Sequence, residues 1–419
     1  MDVIDKIKVK TEEKRNEMIA LQGLLTSIPA IAPESGGAGE WDKAQALIAE
    51  LKRLGFPKHE LYCSADPRVP GGKRPNIVVT LDGESDERTF WIMTHLDVVP
   101  PGEIGLWSSD PYRMVVDGDR LIGRGVTDNQ QGLVSSLFAA MALRELGVVP
   151  RYTVKLLFAA DEETGSGHGI RYLLRETALF RPADCALVPD SGSEDGSEIE
   201  VAEKSMLWLK FRTRGKQCHA SVPSRGINAF QAASHLVVAL EALAAEFGGK
   251  NTLFDPPTST FMPTKKEANV PNVNTIPGED VFYIDCRILP EFDLDAVLKK
   301  IGAICGGIEK KFGVKIEVET VQRASSPPTP PDAPLVKALS RAIETVYGVK
   351  GRTIGIGGGT VGAFLRQKGV HTAVWSRLVE TAHMPNEYCE IPYMVGDCAV
   401  MAALMVEPDG SGRPYFSEG

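Results

Sequence analysis

Acidic residues and histidines follow apolar runs at three places in this sequence. TFWIMT leads into His95-Leu96-Asp97, VKLLFAA into Asp161-Glu162-Glu163, and CALVP into Asp190. Two more groups sit in loops: Asp128 in GRGVTDNQQG, ahead of a helical stretch, and His383 in ETAHMPNEY, beyond residues 370–376. Carboxylates gathered at a partly buried edge repel one another and lose hydration, so they either titrate neutral or are compensated by cations. The histidines favour cations. Imidazole nitrogen mixed with Asp and Glu oxygen, without thiolate, is the donor set of a catalytic zinc-type centre, which cobalt or manganese also suits. In a pair such as Glu162-Glu163, one side chain can bind metal while its neighbour, projecting differently, stays free.

Such residues meet only if the elements carrying them lie side by side, because an open α/β sheet binds ligands beyond the carboxyl ends of its strands. Amphipathic stretches at 11–28 and 41–54, the second stopped by Gly55, precede strands at 76–81 and 89–94. The run after Asp128 reads as a long helix, and strands at 153–159 and 185–188 complete an α/β sheet with helices on its faces. From about Ser205 the texture changes. Strands at 207–214, 281–288 and 315–319 with helices at 228–247 and 293–312 give the pattern of a separate α+β sandwich. It ends in SSPPTPPDAP, residues 325–334, where proline bars both helix and central strand. A helix at 335–346 and a strand at 370–374 resume the first style. The expected organisation is a large domain of residues 1–204 and 324–419 with a smaller domain, 205–323, inserted into it.

The chain has 419 residues, 43% of them apolar, and a net charge of -9. Single cores stop growing near about 250–300 residues, which also argues for two domains. The acidic balance excludes a nucleic-acid partner, which needs clustered Lys and Arg. The opening stretch MDVIDKIKVKTEEKRNEM has no apolar signal core, and no uninterrupted apolar run approaches the ~20 residues of a membrane span. The expectation is a cytoplasmic protein without membrane contact. Seven cysteines scattered without CxxC spacing fit a reducing compartment, and Cys218, just before His219, reads as a packed thiol.

In their order and number these segments resemble the M20 family of metallopeptidases and deacylases, which includes carboxypeptidase G, acetylornithine deacetylase, succinyl-diaminopimelate desuccinylase and aminoacylase. The landmarks are MTHLDVVPPG, the W-x(3)-P-Y stretch at 107–112, GRGVTDNQQG, DEETGS, VPDSG, GKQCHASVPSRGINA, VNTIPGE, DCRILP, GIGGGT and TAHMPNE, and the likeness extends to about Met405. It implies a zinc-peptidase-like catalytic domain, a mixed sheet flanked by helices, holding two divalent ions: zinc foremost, cobalt or manganese as alternatives. Asp128 would bridge the ions, with His95 and Asp190 completing one site and Glu163 and His383 the other. Asp97 would stand behind His95, accepting its other ring N–H and fixing the tautomer. Glu162 would take a proton from the attacking water and return it to the departing amine.

The inserted domain carries a second set by the same resemblance. His219, in GKQCHASVPSRGIN, resembles the lid histidine that reaches the partner subunit's active site in dimers, where it would stabilise an oxyanion. That implies a homodimer through the inserted domain. Asn274 and Arg287 would hold polar groups of the substrate, Arg287 being suited to a bidentate grip on a carboxylate unless it pairs with Asp285 or Glu291. In GIGGGT, residues 355–360, the backbone N–H groups about Gly358 and Gly359 can approach a substrate carboxylate closely. Phosphate binding is discounted because the P-loop ending GK[ST] is absent. The chain departs from the family at Asn129, where an acidic residue across a cis peptide is common, and at Val361, where many relatives have aspartate. The remaining histidines, His59, His168, His235 and His371, read as structural or exposed, His168 in a first helical turn.

The expected reaction is hydrolysis of an amide bond next to a free carboxylate, in an N-acyl amino acid (deacylase) or a short peptide (carboxypeptidase type). A dipeptidase or aminoacyl peptidase uses the same chemistry in a differently shaped pocket. A catalytically idle, metal-binding dimeric scaffold is the alternative of another class. Glu162, which no metal site would need, speaks against it.

Overall fold

The computed structural model describes residues 3–56 and 58–407. They fall into two compact units: residues up to 201, 329–353 and from 364 onward form the larger, and 202–328 with 354–363 the smaller. The chain crosses within a few residues of the expected borders. Residues 354–363, expected in the catalytic domain, pack instead with the inserted unit, and the expected segment 408–419 lies outside the described residues.

The larger unit is built on an eight-stranded mixed sheet in the order His59–Ala65, Lys73–Leu81, Tyr152–Ala159, Ser85–His95, Cys185–Ser193, His371–Arg377, Glu198–Glu203 and Arg352–Ile356. Ser85–His95 runs parallel to Tyr152–Ala159 and to Cys185–Ser193, which in turn is parallel to His371–Arg377. His95 pairs with Ala159, so residues 95–97 and 161–163 leave the sheet together at one end. Phe90, Trp91, Ile92 and Met93, like Leu156, Leu157 and Phe158, are almost wholly buried, as expected of strands covered on both faces.

Gln130–Leu146 and Ile391–Val406 pack against each other and are buried nearly all round, the condition of core helices. Ile391–Val406 escaped the sequence pattern for that reason: a run that is apolar on every face, with Asp397 its one charged residue, has no period to detect. The expected helix 11–28 is two, Val3–Glu13 and Arg15–Thr26, parted at Lys14 in the charged TEEKR run. The three-residue strands Val115–Asp117, Arg120–Ile122 and Tyr388–Glu390 form a small sheet, and are too short to show alternation. His168 precedes the helix Ile170–Glu176 rather than lying in its first turn. Its N–H donates to Asp161 Oδ2 at 2.9 Å, and its Nδ1 is 2.9 Å from Ser64 Oγ.

The smaller unit is a four-stranded antiparallel sheet, ordered Thr260–Lys266, Glu279–Ile288, Ser205–Arg214 and Lys315–Ala324, with Ala229–Leu240, Ala242–Phe247 and Leu294–Phe312 packed against it. Burial alternates along Ser205–Arg214, the mark of a sheet covered on one face. Asn228 and Asp293 cap two of its helices, each accepting a backbone N–H through its side chain. By length and mean composition the stretch Ala229–Phe247 is apolar enough to cross a bilayer, although Gln231, Ser234, His235, Glu241 and Glu246 interrupt it, so the expectation of no uninterrupted apolar run of that length is unchanged. It breaks at Glu241, and Ala232, Ala233, Leu236, Leu240, Leu243 and Phe247 pack into this unit's core.

Candidate active site

The larger unit brings six of the expected residues together. His95 ends its strand almost fully buried, with Nε2 2.9 Å from Asp128 Oδ1 and 3.4 Å from Asp190 Oδ1. His383 Nε2 lies 3.2 Å from Asp128 Oδ2 and 3.1 Å from Glu163 Oε2. Asp128 thus turns one carboxylate oxygen toward each histidine. Candidate ligand atoms of His95, Glu162 and Asp190 lie within 4.8 Å of one another, as do those of His95, Asp128 and Glu163. Asp161 and His383 both have left-handed backbone, φ 63° and 64°, a conformation that turns the chain sharply where Glu162 and the imidazole must be presented.

Asp97 stands behind His95 as expected, but mainly through its backbone oxygen. His95 Nδ1 is 3.0 Å from the backbone oxygen of Asp97 and 3.5 Å from its carboxylate, so the carbonyl is the nearer partner of that ring nitrogen. The Asp97 carboxylate accepts instead the backbone N–H groups of Glu162 (3.1 Å) and Glu163 (3.0 Å). The reason is the sheet register, which sets the two strand ends side by side and leaves those N–H groups facing Asp97. Behind them Glu40 accepts the N–H of Asp161 at 3.1 Å and is itself paired with Arg74, both side chains being fully buried.

Asn129, where an acid is common in the family, donates its Nδ2 to Asp190 Oδ1 at 2.5 Å and to the Pro189 carbonyl at 2.7 Å. Gly132 allows that approach, since a Cβ there would lie 2.8 Å from the Pro189 oxygen. The Asp128–Asn129 peptide is cis. Asn129, Glu40 and Arg74 were not singled out as site residues from sequence. Asn129 carried the one visible signal, its place directly after Asp128.

The electrostatics follow from burial and crowding. Burial, then the charge of Asp190, pushes Glu162 well above the usual carboxylate range. Burial likewise raises Glu163, against a hydrogen bond from His383. Hydrogen bonds to Asp128 and Glu163 raise His383 to about 10. Burial opposes charge on His95, but Asp190 and Asp128 outweigh it and hold the ring well above its ordinary value. Lys43, wholly buried nearby, is lowered by burial to about 8 despite Asp97, Glu40 and Glu387. The cluster therefore attracts positive charge. Glu163 Oε1 is buried without a hydrogen-bond partner among the described residues, the condition of an oxygen built to meet a cation. The nitrogen and oxygen donors present fit divalent ions. Beside Asp128 and Asp190 opens a cavity of about 350 Å³, lined also by Ser191, Leu378, Glu380 and Met384.

The other expected residues belong to the smaller unit. His219 is exposed, its Nδ1 accepting the Ser221 N–H at 3.1 Å. The short strands Cys218–His219 and Thr275–Ile276 pair, and the Ala220 N–H donates to the Asn274 carbonyl at 2.8 Å, so His219 and Asn274 are neighbours. Arg287 does not present a free fork. Its Nε and Nη2 are taken by the Asp285 carboxylate at 2.7 and 3.0 Å, and its Nη1 donates to the Gly357 carbonyl at 2.9 Å. Two residues apart on one strand, Asp285 and Arg287 share a face, which favours their pairing. Arg287 thereby anchors the glycine-rich segment. Gly358 and Gly359 are exposed, and a Cβ at either would meet no chain atom closer than 3.5 Å.

The model of Peptidase family M20/M25/M40 matches residues 91–407. An uncharacterized metallohydrolase of Methanococcus maripaludis is 39% identical over 403 residues, 91% of this chain and 96% of that protein. A succinyl-diaminopimelate desuccinylase of Shewanella loihica is 24% identical over 381 residues, covering 90% of this chain and 96% of that protein. Among solved structures, an aminopeptidase of Bacillus cereus superposes with a TM-score of 0.73 at 19% identity, across 95% of this chain and 99% of that one. The last likeness bears on fold.

Proposed function

Because the chain belongs to peptidase family M20/M25/M40 and is a metal-dependent hydrolase, we propose that it cleaves an amide bond next to a free carboxylate, in an N-acyl amino acid or a short peptide, at a centre of two divalent ions. The observation that carries this reading is Asp128, whose two carboxylate oxygens face His95 and His383 separately, at 2.9 and 3.2 Å, as a bridging ligand's do. His95 and Asp190 would hold one ion, and Glu163 and His383 the other. The nitrogen and oxygen donors support zinc first, then cobalt or manganese. Ions bound there supply Lewis-acid chemistry, polarising the scissile carbonyl and acidifying water.

The chain's own residues do the rest. Asp97 holds the backbone of Glu162, so the base sits on a fixed loop. Glu162, raised by burial, accepts the proton of the attacking water and delivers it to the amine nitrogen as the C–N bond breaks. Asn129 orients Asp190 from behind. Exposed backbone at Gly358 and Gly359 is the better candidate for a substrate carboxylate, since Arg287 is engaged by Asp285.

The desuccinylase relative supports a deacylase. An aminoacyl peptidase is favoured by one observation, the Glu380 carboxylate lining the cavity beside Asp128 and Asp190, where a free amine would find a partner. A homodimer through the inserted unit is supported by the outer edge of Thr260–Lys266, unpaired among the described residues, and by exposed Phe230, Val238 and Met262 in the same unit. The cysteines are all free, which supports a cytoplasmic setting.

The test is metal-reconstituted protein assayed on N-acetyl, N-succinyl and N-carbamoyl amino acids and on dipeptides, each with the carboxylate free and amidated. Cleavage of a free-acid series, lost on amidation, is expected. Equal rates on the amidated compounds would sink the carboxylate requirement, and sedimentation of the same sample as an active monomer would remove the dimer.

A further inference from the structure

Glu387, four residues beyond His383, is fully buried and has no place in the chemistry above. Its carboxylate accepts four hydrogen bonds. Oε1 takes the backbone N–H groups of Thr127 (2.9 Å) and Asp128 (3.1 Å), while Oε2 takes that of Gly125 (3.1 Å) and the Arg124 guanidinium (2.6 Å). Arg124 is buried as well, its guanidinium 5.3 Å from the centre of the Trp107 ring. The pair is therefore neutral, and the carboxylate's acceptor capacity goes to the loop that ends in Asp128.

The surrounding stitching runs between the same two segments. The Gly123 N–H donates to the Glu387 carbonyl at 3.0 Å, the Thr127 hydroxyl to the Tyr388 carbonyl at 2.5 Å, and Tyr388 pairs with Ile122. On the His383 side, Asn386 accepts the Ser108 N–H at 2.7 Å and donates to the Leu106 carbonyl at 2.9 Å. One turn of chain thus carries His383 at its start and grips the Asp128 loop at its end.

We propose that Glu387, neutralised by Arg124, is a positioning residue that sets the spacing between Asp128 and His383 and so the affinity for the ion those two would share. This rests on the two-ion reading above. A buried carboxylate with backbone donors on both oxygens has no equivalent substitute. Glutamine offers one acceptor oxygen and turns an NH2 group toward two existing donors, so the loop must shift. Outer partners of metal ligands govern affinity in this way, typically by 10–100-fold.

The experiment uses the full chain stripped of metal and titrated with cobalt, read by its visible absorption and by competition with a chelator. Glu387→Gln should bind the more weakly held ion about 10–100-fold less tightly than wild type. The control is Glu200→Gln, which breaks the buried Glu200–Arg366 pair of the same unit without touching the site. That variant should lose thermal stability and keep wild-type cobalt affinity. Unchanged affinity in Glu387→Gln, or an equal loss in both variants, overturns the proposal. Should Glu387→Gln not fold, Arg124→Lys is read by the same rule, a smaller loss being expected and wild-type affinity overturning it. Failure of wild type to bind cobalt would overturn the two-ion reading and this one together, which separates the two failures.

Discussion

In the larger unit the candidate residues other than His383, whose ring is exposed, are buried or half-buried, and the backbone that carries them is gripped. Asp97 holds residues 162 and 163, Glu40 holds 161, and Glu387 holds 125, 127 and 128. In the inserted unit His219, Asn274, Gly358 and Gly359 are exposed, and among the described residues the His219 ring is held by Ser221, two residues away. Collecting like charges is costly unless their geometry is imposed from outside the cluster, so a cation centre requires a buried frame. A group that meets a neutral or transient partner does not. Under the proposed function, this contrast matches ion holding and proton transfer in the larger unit and recognition of polar substrate groups in the smaller.

The largest effect expected from this contrast is at Glu162. Glu162→Gln should lower kcat by about 10²–10⁴-fold with metal content unchanged, because the base is lost and the proposed ligands remain. Turnover assayed alongside metal analysis checks it, and parallel loss of metal would make Glu162 a ligand. A smaller loss, about 10²–10³-fold in kcat, is expected for His219→Ala, again with full metal content. Metal loss in that variant would break the division between the units, while wild-type kcat would remove His219 from the reaction.

The smallest effect concerns stability. Asp397 is wholly buried under hydrogen bonds from Ser376, Tyr347 and Gln131, and burial pushes it up to about 6. Its pKa is higher folded than unfolded, so the folded state binds more protons between about pH 4 and 6. The penalty from this group is absent below about pH 4 and complete above about pH 6. Stability from it therefore rises as pH falls through that window, by an amount on the order of 1–3 kcal/mol. Urea unfolding of chelator-treated protein from pH 4 to 7 should show this slope, and Asp397→Asn should remove it. An unchanged slope in the variant would place the titration elsewhere.

Much of this was legible before any tertiary information. The strands ending at His95 and Ala159 and the one running into Asp190 announce themselves as apolar runs followed by acids, because a strand covered on both faces needs an unbroken apolar sequence. The change of pattern near Ser205 and the proline run at 325–334 lie near two of the places where the chain passes between the compact units, at 201–202 and 328–329. The misses share a cause. Tyr388–Glu390 is too short for alternation, Ile391–Val406 too uniformly apolar for a helical period, and residues 354–363 carry no pattern that says which unit they join.

What the sequence by itself determined is the chemical inventory and its place at strand ends, since local patterning reflects burial, and burial is encoded residue by residue. Only the tertiary structure decided how the polar groups pair. The Asp97 carboxylate takes the 162–163 backbone while its carbonyl is the nearer partner of the His95 ring, Arg287 binds Asp285 and the glycine segment, and Glu387 reaches back to Asp128. Hydrogen bonds are short and directional, so a donor takes whichever acceptor the packed backbone sets within about 3 Å, and sequence distance does not enter.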